Sequence, residues 1–116
     1  MLTTSLAPQS EAQIQAEVVK FLQSNGVFFF SVPNELAGAN AGARMSKFIA
    51  TGLRKGAPDL VIFWPDGQLG FLEMKTPTGK QSPQQKVFQK KCEEYGARYD
   101  LARSVEGVAC LLRRYS

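Results

Sequence analysis

The sequence predicts an α/β domain, with a mixed sheet flanked by helices in the order α-β-β-β-α-β-α. Three observations carry this expectation. Residues Glu11 to Leu22 place apolar side chains at helical spacing. Two β-rich runs, Leu60 to Trp64 and Leu69 to Leu72, flank Pro65-Asp66-Gly67, which has turn chemistry. Ser82-Pro83 has the chemistry of a further helix start, with serine as N-cap and proline at the first helical position.

Residues 1–9 are expected to be a disordered lead-in, and residues 10–116 a single domain. The lead-in lacks the basic and apolar regions of a signal peptide. No apolar run approaches the length of about 18 residues that a membrane span needs. A cytoplasmic, non-secreted protein of a bacterial or phage-infected cell is expected. Its two cysteines, Cys92 and Cys110, are then expected to be reduced and packed.

The first helix runs from Glu11 to about Asn25, with Ser10 as N-cap and Gly26 as terminator. Val27 to Val32 is a strand stopped by Pro33. Phe28 and Phe30 share one face of it and Phe29 takes the other, so helices or a partner subunit must cover both sides. Asn34 to Gly56 is rich in Gly, Ala and Asn, and reads as a long loop with one helical turn near Met45 to Ile49. Loops of this length are usually functional. The hairpin follows, then a break at Thr76 to Gly79 and a helix from Pro83 to about Tyr95. Arg98 to Ala102 is the last strand, and Ser104 caps a final helix to about Arg113.

The hairpin carries the chemistry. With Trp64 facing Gln68 across a three-residue loop, counting five residues outward from each places Asp59 opposite Glu73. Opposed side chains share a face, and Lys75, two residues beyond Glu73, lies on it too. A simple alternative is an exposed hairpin end with a cross-strand Asp–Lys pair. That alternative leaves two acids face to face, which is unfavourable without a cation between them. Helical phase adds a third acid. At about 100° per residue, Glu11 and Gln15 point the same way as Ile14, Val18 and Leu22, whereas Glu17 points to solvent.

The order of these residues resembles the PD-(D/E)xK nuclease superfamily, with its restriction-endonuclease-like core. More narrowly, Ser10-Glu11 with Gln15, Val32-Pro33-Asn34, Gly52 to Leu60 with its Gly-x-x-x-Gly-x-Pro-Asp pattern, Glu73-Met74-Lys75 and Gly79 to Gln85 resemble the VRR-NUC branch, the virus-type replication-repair nucleases. The resemblance implies a Mg²⁺- or Mn²⁺-dependent hydrolase of DNA phosphodiesters. It implies that Asp59, Glu73 and the Met74 carbonyl bind the metal ion, with Glu11 reaching it directly or through water. Lys75 would orient and activate the attacking water, and Gln85 would brace the lysine or that water. Small free-standing members are similar to junction-resolving enzymes, which implies a homodimer acting on branched DNA such as four-way (Holliday) junctions.

Composition agrees with this chemistry. The chain has no histidine, which excludes histidine bases and histidine metal ligands, and two cysteines cannot make a usual four-ligand zinc site. Oxygen donors remain, and these suit hard cations. The net charge of +4 is unevenly spread: Ala43 to Lys91 holds nine Lys/Arg against three acids. Arg44, Lys47, Arg54, Lys55, Lys80 and Lys86 are the candidate phosphate contacts of that segment. No base-reading motif is evident. Three function classes therefore stand: a structure-directed DNA endonuclease, a non-catalytic nucleic-acid-binding module, and a nuclease subunit directed by a replication or repair partner.

Overall fold

The computed structural model describes residues 8–33 and 54–116. The expected helical turn near Met45, together with Arg44 and Lys47, lies outside the described residues. So does most of the expected lead-in.

Helix α1 spans Glu11–Ser24. Its start is a capping box: Ser10 Oγ accepts from the Gln13 N–H at 3.2 Å, and Gln13 Oε1 accepts from the Ser10 N–H at 2.8 Å. Four strands follow in the sheet order β1-β2-β3-β4: Phe28–Ser31, Leu60–Phe63, Leu69–Met74 and Arg98–Ala102. Helix α2 (Pro83–Glu94) connects β3 to β4, and helix α3 (Val105–Arg114) ends the chain. The observed order is α-β-β-β-α-β-α, as the sequence predicts.

The first three strands pair antiparallel and β3 pairs β4 in parallel, so the sheet is mixed. A parallel pair needs a crossover, and α2 supplies it. The hairpin register is the expected one. Leu60 faces Leu72 and Val61 faces Phe71, and the Trp64 N–H donates to the Gln68 carbonyl at 3.0 Å. Gly67 closes the turn at φ +91°.

The sheet's two faces are buried unequally. Leu60, Ile62, Leu72, Met74 and Ala102 form a core with Ile14, Val18 and Leu22 of α1 and Val108 and Leu111 of α3. Phe29 packs against this core and Trp64 is inside it. On the other face Phe88 of α2 meets the Phe71 ring edge-on at 5.5 Å. Phe28 and Phe30, also on that face, remain 66% and 48% exposed, so the described residues do not cover them.

Cys92 is buried, but Cys110 is exposed, which corrects the expectation that both are packed. The buried stripe of α3 runs through Val108 and Leu111. Cys110 lies a helical step of about 100° from Leu111 and falls off the stripe.

Away from the acids, the far end of the sheet is closed by a polar–aromatic cluster. Arg98 pairs with Asp66 at 3.0 Å and lies 3.6 Å over the Tyr115 ring, which in turn packs on Trp64. This ties the hairpin turn to β4 and to the end of α3, and leaves the opposite end of the sheet for the site.

Candidate functional site

Glu73 and Lys75 are the buried charged residues among the described residues, at 0% and 7% exposure. Buried charge is costly unless it is paired. Lys75 Nζ lies 3.7 Å from Glu73 Oε2 and 3.8 Å from Glu11 Oε2. The first turn of α1 and the end of β3 therefore meet through this lysine, as the helical phase predicts. Glu17, off that direction, is exposed and accepts from the Gln9 side chain at 2.7 Å.

Asp59 sits just before β2. Its Oδ2 accepts from the Met74 N–H at 2.7 Å, so the backbone of β3 holds the carboxylate in place. Burial pushes the Asp59 carboxyl above the usual carboxylate range; the nearby Glu11 and Glu73 charges push it the same way, against the Met74 N–H and Lys75. An acid in this position is short of positive charge.

The two oxygens of Glu73 differ. Oε1 accepts a hydrogen bond from the Tyr99 hydroxyl. Oε2 is buried without a hydrogen-bond partner. Tyr99 has no place among the residues expected from sequence. A tyrosine hydroxyl in a sheet usually finds a partner, but which partner depends on the parallel pairing of β4 with β3.

Asp59 and Glu11 line a cleft of about 580 Å³ together with Gln15, Lys55, Ser82 and Gln85. Gly56 makes the cleft wall possible. It has φ +82°, and a Cβ there would meet the Gln84 carbonyl carbon and oxygen at 2.5 Å and Gln85 N at 2.8 Å. The Gly-x-Pro-Asp segment thus lies directly on the first turn of α2. Gln85 is the N3 residue of a second capping box: its Oε1 accepts from the Ser82 N–H at 2.8 Å. Gln85 faces the cleft, but its carbonyl oxygen is committed to the cap, and no hydrogen bond joins it to Lys75 among the described residues. Arg103, also unanticipated, donates to the Thr76 and Gly79 carbonyls at 2.5 and 2.7 Å, pinning the turn between Lys75 and α2.

The expected phosphate contacts divide. Lys55 lines the cleft, and Lys80 and Lys86 are exposed. Arg54 is exposed too, and lines an apolar pocket with Phe71 and Phe88.

Among the described residues no group of three or more His, Cys, Asp or Glu side chains could hold a metal ion by itself. The Lys75 ammonium is within ion-pair distance of both Glu11 and Glu73. Two features nevertheless fit a divalent cation: Glu73 Oε2, which lacks a hydrogen-bond partner and has the Lys75 ammonium at 3.7 Å, and an Asp59 carboxyl that burial and neighbouring acids disfavour as an anion.

With an acid–acid–lysine arrangement on a mixed sheet in view, comparison decides the family. The VRR-NUC domain profile matches residues 9–106. The chain belongs to the VRR-NUC family. Its domain is accordingly a nuclease of the PD-(D/E)xK type. Two solved structures share the VRR-NUC fold. One VRR-NUC domain protein superposes with a TM-score of 0.75 at 18% identity, covering 95% of this chain and 90% of its own. A second VRR-NUC domain gives 0.64 at 23% identity, covering 91% and 97%. No curated protein matches the chain.

Proposed function

We propose that this VRR-NUC domain is a divalent-metal-dependent DNA endonuclease that acts on DNA structure rather than base sequence. The observation that carries the reading is Glu73: fully buried, with Oε2 lacking a hydrogen-bond partner, beside Lys75 and on the same sheet end as Asp59. Asp59, Glu73, the Met74 carbonyl and Glu11 are the oxygen donors for Mg²⁺ or Mn²⁺, a set that suits a hard cation. When bound, the ion supplies Lewis-acid stabilisation of the phosphate and a more acidic water.

The chain's own residues do the rest. Lys75, tethered by Glu73 and Glu11, orients the attacking water and offsets the charge that develops on the phosphate. Gln85 keeps its side-chain NH₂ as the group to hydrogen-bond water or a phosphate oxygen at the cleft. Lys55, at the cleft, and Lys80 and Lys86 neutralise backbone phosphates, with Arg44 and Lys47 as further contacts. Such contacts position DNA without reading its sequence.

Self-association is part of this proposal. Among the described residues β1 is an edge strand, and Phe28, Phe30 and Phe63 are 66%, 48% and 40% exposed beside one another. An apolar patch of this kind supports a two-fold dimer, whose two sites suit paired cuts in a four-way junction.

The deciding experiment is cleavage of labelled four-way junction, flap, duplex and single-stranded DNA with Mn²⁺ or Mg²⁺, comparing wild type with Glu73→Gln. Metal-dependent cutting, best on the junction and lost in the variant, is the expected result. Salt-sensitive binding without cutting of any substrate overturns it, in favour of a subunit directed by a replication or repair partner.

A further inference from the structure

The two oxygens of Glu73 are held in different states, and the residues responsible lie outside the acid–acid–lysine set. Tyr99 stands beside Phe71 in the parallel register of β3 and β4, two residues before Glu73 on the same face. From there its hydroxyl reaches Glu73 Oε1. Gln81 Nε2 donates to Tyr99 Oη at 3.2 Å and to Gln89 Oε1 at 2.9 Å, and Gln89 Nε2 donates to Glu93 at 3.2 Å. An amide nitrogen only donates. Tyr99 Oη therefore accepts from Gln81, and its own proton is directed to Glu73.

We propose that Tyr99, held by Gln81, is a positioning residue that reserves Glu73 Oε2 for the metal ion. The proposal rests on the metal-dependent reading above. A carboxylate's terminal torsion is broad and roughly two-fold, so without a fixed partner either oxygen can turn toward a ligand. The tyrosine removes that freedom by occupying Oε1. It does so with a neutral donor, so the carboxylate keeps its charge for the cation. An arginine or lysine at the same place would compete with it. Residues that orient a metal ligand in this way typically matter about 10- to 100-fold in metal affinity or activity.

The test is Mn²⁺ binding to the full purified chain without DNA, by isothermal titration calorimetry, for wild type, Tyr99→Phe, Gln81→Ala and Glu73→Gln. Melting temperature in EDTA is recorded for each. Tyr99→Phe keeps the ring and removes only the hydroxyl. It is expected to weaken Mn²⁺ binding by about 10- to 100-fold, and to raise the Mn²⁺ concentration for half-maximal cleavage by a similar factor. Gln81→Ala is expected to shift both in the same direction by less. Wild-type Mn²⁺ affinity in Tyr99→Phe overturns the proposal. If Tyr99→Phe fails to fold, Gln81→Ala decides, and wild-type affinity there overturns it. Glu73→Gln separates the two levels. Loss of binding in Glu73→Gln with unchanged Tyr99→Phe rejects the positioning role alone. A wild-type protein that binds no Mn²⁺, or a Glu73→Gln variant that binds as well as wild type, rejects the metal reading along with it.

Discussion

The Met74 N–H donates to Asp59 Oδ2 at 2.7 Å, so the strand that carries Glu73 also orients the acid that precedes β2. The two candidate metal ligands are therefore coupled through backbone, and substitutions at either should be judged for what they leave unpaired as well as for lost charge.

Asp59→Asn keeps an oxygen for the Met74 N–H and removes the charge. In the metal-free protein burial, Glu11 and Glu73 raise the Asp59 carboxyl above 3.8. The folded state then binds the proton more readily than the unfolded chain, so this group's destabilisation grows as pH rises through its folded value. Asp59→Asn is expected to melt above wild type at pH 7 in EDTA, with the difference closing as pH falls toward 3.8. The same variant should lose cleavage. Thermal melts of both proteins across pH check the first expectation; equal melting temperatures at pH 7 contradict it.

Glu73→Gln retains an acceptor for Tyr99 and should fold, whereas Glu73→Ala strands the tyrosine hydroxyl. Lys75→Ala removes the ammonium beside the buried Glu73 Oε2. Breaking a buried pair from one side costs about 3–5 kcal/mol, so Lys75→Ala is expected to lower stability as well as cleavage. Loss of cleavage should reach roughly 100-fold or more in each variant, the scale of removing one preorganised electrostatic group. Denaturant titrations alongside rate measurements distinguish the two effects.

Glu11→Ala should raise the metal concentration needed for cleavage, because Glu11 meets Lys75 at 3.8 Å across the site. Glu17→Ala should change nothing but a surface contact to Gln9. Metal titrations of the cleavage rate test the pair, and the reverse ranking would refute the helical-phase assignment.

Gly56→Ala puts a Cβ against the Gln84–Gln85 peptide at a positive φ. The cost should exceed about 1 kcal/mol, read as a lower urea midpoint. Cleavage should fall further than stability, since the first turn of α2 carries Gln85 into the cleft.

The double substitution Phe28→Ser, Phe30→Ser should leave the core intact, because both side chains are exposed. It is expected to convert a dimer into a monomer in analytical ultracentrifugation. A wild-type protein that is already monomeric would remove the proposed interface.

Much of this molecule was legible in sequence because the relevant geometry is local. Three residues of turn chemistry set the hairpin register, and a 100° helical step set which acid of α1 faces the site. The placement of Asp59, Glu73, Lys75 and Glu11 at one end of the sheet follows from those two periods; their expected roles come from the family resemblance. The caps at Ser10, Ser82 and Ser104 are equally local, each a side chain bonded to a backbone N–H three residues on.

What tertiary structure decided depends on distant pairing. The parallel register of β4 against β3 spans a whole helix, and no turn fixes it; it alone brings Tyr99 to Glu73 and Arg103 to the Thr76–Gly79 turn. Capping also redirected Gln85, since a side chain three residues into a helix satisfies the nearest bare N–H first. Spacings of a few residues are enough to bring the candidate acids and the lysine to one end of the sheet. Only the folded chain decided which of their oxygens are already held and which remain open, because that depends on neighbours brought from the far side of the sheet.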